Sequence, residues 1–78
     1  MARLRLFGPA REAAGTSSVT FPGRSVSEVI CAAEEEFGES FARIVATSNI
    51  WLNGETTEPD SQVNDDDEVA VIPPVSGG

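Results

Sequence analysis

The chain has no lysine, no histidine and no tyrosine, and only one cysteine, Cys31, in 78 residues. One cysteine excludes an internal disulfide, a multi-cysteine zinc site and an iron–sulfur cluster. Without histidine, triads that use imidazole as the base are absent. No apolar run approaches the roughly 20 residues needed to span a bilayer. Met1 to Pro9 show no long apolar stretch of the kind a signal peptide carries. Cations are scarce: five Arg face thirteen Asp and Glu, for a net charge of −8. Such a surface repels phosphates and anionic headgroups, so nucleic acid and membranes are not the expected partners. A basic protein partner is. A chain this short buries only about 60% of its unfolded surface and leaves little room for an enclosed cleft. The expectation is a cytoplasmic protein that is not catalytic alone and binds no metal.

What is present is a core of modest size: three Leu, four Ile, eight Val, four Phe and one Trp. Residues 3–7 alternate Arg-Leu-Arg-Leu-Phe, the period of a half-buried strand. Gly8-Pro9 ends it, and Ala10 to Gly15 reads as a short helical turn closed by Gly15. Residues 17–21 alternate again, with Val19 and Phe21 inward, until Pro22-Gly23. Ser25-Val26-Ser27-Glu28 fits a capping box. Behind it Val26, Val29, Ile30, Ala33 and Phe37 form one stripe, so a helix is predicted over 26–37, closed by a left-handed Gly38. Residues 39–45 are too few for periodicity to decide. Asn49 to Leu52 reads as a strand entering an Asn53-Gly54 hairpin turn, with Glu55 to Thr57 returning. Asn64 to Asp67 is a turn. Glu68 to Ile72 is apolar enough to predict a central strand covered on both faces.

The order strand, strand, helix, strand, strand predicts an α+β domain. A crossover brings the later strands beside the first, giving a mixed four- to five-stranded sheet curled on one main helix. That arrangement is a β-grasp, spanning 1–72. Residues 73–78, Pro-Pro-Val-Ser-Gly-Gly, follow as an extended tail of about 19 Å at roughly 3.1 Å per residue. Two prolines cannot donate to a sheet ladder. The final Gly77-Gly78 carries no side chain, can enter a narrow channel, and offers one reactive group, the carboxylate. Gly-Gly by itself also fits an ordinary frayed terminus.

Four segments together resemble a known family. Gly8-Pro9-Ala10-Arg11-Glu12-Ala13-Ala14-Gly15 is similar to its G-x-x-R-E-x-x-G element, and Leu52-Asn53-Gly54-Glu55 to its V-N-G-E hairpin. Asp65 to Ala70 resembles its D-G-D-E-V-A turn, and Pro73 to Gly78 matches its P-P-V-S-G-G end. The family is that of the ubiquitin-like sulfur carriers, and within it the small subunit of molybdopterin synthase. The resemblance implies that Gly78 is adenylated and then converted to a thiocarboxylate, which donates sulfur to cyclic pyranopterin monophosphate. It implies two partners: the synthase large subunit and an E1-like adenylyltransferase/sulfurtransferase that uses ATP. No cofactor is bound by the carrier itself. Gly78 would carry the chemistry, while Gly77, Ser76, Val75, Pro74 and Pro73 would thread the partner's active site.

Two positions depart from the pattern. Asp66 stands where the family has Gly, at a position expected to need positive φ. Val71-Ile72 replaces the aromatics found before the prolines. Cys31 lies about 140° from the helix stripe, taking about 100° per residue, and reads as a passive boundary residue. Glu34-Glu35-Glu36 point in different directions and read as solvated. Trp51 faces away from Ile50 and Leu52, either packed by residues 39–45 or exposed as an interface anchor. Alternatives remain for function: a carrier for thiamine, cysteine or tRNA thiolation, a protein modifier joined through Gly78, or an interaction module with an incidental tail.

Overall fold

The alternation in the first residues forms strand β1, Ala2–Leu6, with Ala2, Leu4 and Leu6 buried and Arg3 and Arg5 exposed. The computed structural model describes residues 1–74. Helix α1 spans Gly8–Ala14, β2 Ser18–Phe21, α2 Val26–Phe37 and α3 Glu39–Ala46. Strands β3, β4 and β5 cover Asn49–Leu52, Glu55–Thr56 and Glu68–Ile72. The five strands form one sheet in the order β2-β1-β5-β3-β4. Only β1 and β5 run parallel; the other pairs are antiparallel. The mixed sheet packed on a main helix is as expected, with five strands.

The capping box holds α2 in slightly altered form. Ser25 Oγ accepts from the Glu28 amide at 3.2 Å, and Glu28 reaches back to the amide of Arg24, one residue beyond the expected partner. The α2 stripe of Val26, Val29, Ile30 and Ala33 packs on the sheet face made by Leu4, Leu6, Val69 and Val71. Residues 39–46 resolve as helix because Phe41 is apolar and wholly buried there, beside Phe37 at 5.2 Å between ring centroids. A hydrophobic anchor in the core decides what eight residues of periodicity could not.

Three local expectations are corrected. Gly38 is not left-handed helical: at φ 93 and ψ −171 it ends α2 and opens α3 directly, a backbone that favours glycine. Strand β5 is central in the sheet but covered on one face only. Val69 and Val71 are buried, whereas Glu68, Ala70 and Ile72 on the other face are half-buried. The third concerns Asp66. Asn53 is the only non-glycine residue with positive φ among those described. The Asp67 amide donates to the Asn64 carbonyl at 3.0 Å, a four-residue turn whose third position needs no left-handed backbone. Asp66→Gly is therefore expected to destabilise the fold, by about 0.5–1 kcal/mol through unfolded-chain entropy, in a urea titration.

One feature has no local signal. Residues 59–63 are stitched to the start of α2 by backbone bonds: Val26 to Ser61, Ser27 to Pro59 and Val63 to Arg24, at 2.8–3.0 Å. Val63 is buried by this clasp.

Candidate functional site

The site begins where β5 ends. Parallel pairing sets Leu6 beside Val71, so the segments that follow β1 and β5 emerge at the same end of the sheet. The Phe7 amide donates to the Val71 carbonyl at 3.2 Å, extending the ladder to within two residues of Pro73. Pro73 is half-buried, and its ring lies against the α-carbon of Gly8. Pro74 is exposed. Val75, Ser76, Gly77 and Gly78, the rest of the site read from the sequence, lie outside the described residues.

Around the tail root the sheet shows its uncovered face. Arg5, Ala70 and Trp51 align across β1, β5 and β3, and Asn49 pairs with Ile72 one row closer to the tail. Phe7, two residues on from Arg5, completes that second row and is 40% exposed. Ile50 and Leu52 pack against the core, while Trp51 and Ile72 do not. The open question about Trp51 is thus answered: it is half-buried on the uncovered face, not held by α3. The Arg5 guanidinium sits 5.7 Å from the Phe7 ring centroid and 3.6 Å from the Glu68 carboxylate. Apolar side chains beside one paired cation make a face suited to another protein.

The two hairpin motifs meet at the opposite end. Asn53 and Gly54 both have positive φ, 52 and 84, the type I′ turn that Asn-Gly favours. Asn53 Nδ2 donates to Asp67 Oδ1 at 3.0 Å, and its Oδ1 accepts from the Glu68 amide at 2.9 Å. Asp67 Oδ2 accepts from the Asn64 amide at 2.8 Å. Those bonds, the Asn64 amide first and Asn53 second, hold the Asp67 carboxyl below its usual 3.8. A lowered folded value contributes stability that is present above 3.8 and lost as pH falls through the folded value. The stability gap between the wild type and Asp67→Asn is expected to be widest at neutral pH and to shrink on acidification below 3.8. Thermal melts across pH measure it; a pH-independent gap would remove the carboxylate's role.

A groove of about 680 Å³ lies elsewhere, between α2 and the β3–β4 hairpin. Val26, Ile30, Cys31, Ile50, Thr57 and Pro59 are among its walls. Cys31 is exposed at its side, in keeping with a boundary residue. Glu35, Glu36, Asp65 and Asp66 are exposed, as a solvated face requires. Among the described residues no ionisable or other polar side chain is buried, and no cluster of three or more His, Cys, Asp or Glu could hold a metal ion. No described helix is long and apolar enough to cross a membrane.

Sequence reasoning missed the contact of Gly8 with Pro73 and the bridge from Asn53 to Asp67. The first was accessible in principle, because parallel strands must deliver their following residues to one end. The second had no sequence signal beyond the motifs themselves.

Known structures share this arrangement. The chain is similar to the small archaeal modifier protein 1 (SAMP1) of Methanosarcina acetivorans: TM-score 0.89, 25% identity, covering 99% of this chain and 95% of that one. A chain of the Amycolatopsis orientalis BexX/CysO complex matches at TM-score 0.83 and 25% identity over 100% of both. A putative molybdopterin converting factor subunit 1 from Pyrococcus furiosus matches at TM-score 0.78 and 28% identity, covering 95% of this chain and 97% of that one. No curated protein sequence matches. The ThiS family profile spans residues 4–78, from the first buried leucine of β1 to the terminal glycine. The chain therefore belongs to the ThiS family of ubiquitin-like sulfur carriers.

Proposed function

We propose that the chain carries sulfur as a thiocarboxylate on Gly78 and donates it to cyclic pyranopterin monophosphate within a molybdopterin synthase. The observation that carries this reading is the Pro73 to Gly78 sequence directly after a central strand, beside an uncovered apolar face. A carboxylate is a poor electrophile. Attack of a Gly78 oxygen on the α-phosphorus of ATP, with departure of pyrophosphate, gives an acyl adenylate with a good leaving group. Hydrosulfide delivered by the activating enzyme then attacks the acyl carbon and displaces AMP, with loss of its proton. The thiocarboxylate that results is nucleophilic sulfur in a form that releases no free sulfide.

The chain's own residues bind and aim. Pro73 and Pro74 stiffen the tail, Val75 and Ser76 occupy the channel, and Gly77 lets the backbone pass where no side chain fits. The activating enzyme and the synthase large subunit dock on the face of Phe7, Trp51, Ala70 and Ile72. Trp51→Ala is expected to weaken either complex by about 10- to 30-fold, the effect of losing a central aromatic anchor. Calorimetric titration reads it; unchanged affinity would move the docking face elsewhere.

The pathway reading rests on the tail and on likeness to the P. furiosus protein. Likeness to SAMP1 and to the BexX/CysO complex favours a second one, a carrier for another acceptor or a modifier joined to proteins through Gly78. Lacking lysine, this chain offers no side-chain amine to receive a copy of itself. Intact-mass and tail-peptide mass spectrometry of the protein from its own cells tests the common claim. Oxygen-to-sulfur exchange on a C-terminal Gly78 is expected; a bare carboxylate under all growth conditions would overturn it. Sulfur transfer to cyclic pyranopterin monophosphate with the purified large subunit then separates the two readings.

A further inference from the structure

We propose that Gly8 is a positioning residue for the tail, its bare α-carbon forming the seat on which the Pro73 ring rests and from which the tail takes its direction. The proposal rests on the tail chemistry above and adds a specific device to it. Gly8 has φ +57, and a β-carbon there would lie 3.2 Å from Pro73 Cγ and 3.7 Å from its Cβ and Cδ. That first distance is tighter than ordinary van der Waals contact, so the ring would have to tilt or shift. Pro73 cannot tilt freely. Its φ is locked by its own ring, and the ladder bond from Phe7 to Val71 fixes the strand just before it.

Leverage makes a small displacement matter. Drawn out in a partner's channel, the five residues beyond Pro73 would span about 15 Å, so a tilt of about 10° at the root would carry the end about 3 Å. In-line attack needs reacting atoms within about 3–3.5 Å. A methyl-sized change at Gly8 therefore acts on the reacting carboxylate from the far end of the tail. It leaves Trp51, Ala70 and Ile72 of the docking face in place, and Phe7 stays tied by its amide to Val71, so catalysis should suffer and binding should not.

Backbone strain is the confounding effect, and α1 supplies its own control. Gly15, at the other end of the helix, has φ +77, and a β-carbon there meets nothing within 4 Å. Asn tolerates the left-handed region better than most residues, so Gly8→Asn and Gly15→Asn carry similar modest strain. Only the first crowds Pro73. The assay is ATP–pyrophosphate exchange by the activating enzyme, with the carrier as varied substrate and thermal melts alongside.

Both variants should fold with comparable small losses of Tm. Gly8→Asn should lower kcat by about tenfold to a hundredfold with KM within about twofold, whereas Gly15→Asn should keep both constants. Equal kcat for the two variants would overturn the proposal. A double-mutant cycle keeps the test open should Gly8→Asn be poorly folded. In the Pro73→Gly background, which has no ring to displace, Gly8→Asn should cost no further kcat; additive losses would overturn the seat. Absence of exchange with the wild type would instead bring down the tail chemistry, and the proposal with it.

Discussion

Adding one Ala after Gly78 is expected to abolish adenylation of the carrier without moving its melting temperature. The extension carries the carboxylate about 3.5 Å past its place. An in-line displacement at phosphorus does not tolerate an error of that size. Deleting Gly78 should do the same by shortening the reach. Neither change removes apolar surface from the core of Leu4, Leu6, Val29, Phe41, Val69 and Val71, so neither has a mechanism for unfolding the domain. Exchange of labelled pyrophosphate into ATP, read beside a thermal melt, measures both arms. Full exchange by the extended protein would show that the terminal carboxylate is not the reacting group.

Phe41→Ala should produce the largest loss of stability in the molecule. Phe41 is the bulkiest wholly buried side chain, packed on Phe37, which in turn meets Phe21 edge-on at 5.9 Å. Truncating a buried phenylalanine costs about 3–5 kcal/mol in lost burial and residual cavity. A 78-residue domain has in total only about 4–12 kcal/mol to lose. The variant should therefore lose at least about a quarter of its stability and in the worst case not fold. Phe41→Leu should lose about 1.5 kcal/mol or less, as swaps that keep most of the volume do. Urea unfolding followed by Trp51 fluorescence provides the comparison. A loss below about 1 kcal/mol in the alanine variant would mean that α3 is not docked as described. The same helix α3 also packs on α1, the helix that Gly8 opens.

Much of the fold was readable because its signals are local. Ser25 and Glu28 mark the start of α2 within four residues, and the stripe from Val26 to Phe37 repeats over three turns. The bounds of α2 agree with the expectation at both ends. Asn53-Gly54 specifies its own turn, since both residues accept positive φ without outside help. The expected tail rests on a different kind of signal: what its residues lack, side chains at Gly77 and Gly78 and donors at Pro73 and Pro74.

Where the reading went astray, a turn type decided one case and an uncovered sheet face the other. Asp66 was expected to be left-handed because other carriers have glycine there, yet the Asn64–Asp67 turn leaves its backbone ordinary. Hydrophobicity predicted β5 to be covered on both faces. All three helices lie on one side, and the other side is left to Arg5, Ala70, Trp51 and Ile72.

Composition and short-range pattern were thus sufficient for the main helix and the hairpin, and with the order of elements for the α+β class. The helix and the hairpin each depend on residues within about four positions of one another, where helix and turn energetics operate. The tertiary structure alone decided that residues 39–46 are helical, that Trp51 faces outward and that Gly8 meets Pro73. These outcomes turn on which strands become neighbours. The parallel pairing of β1 with β5 joins residues more than sixty positions apart, and no local preference records the energy of that contact.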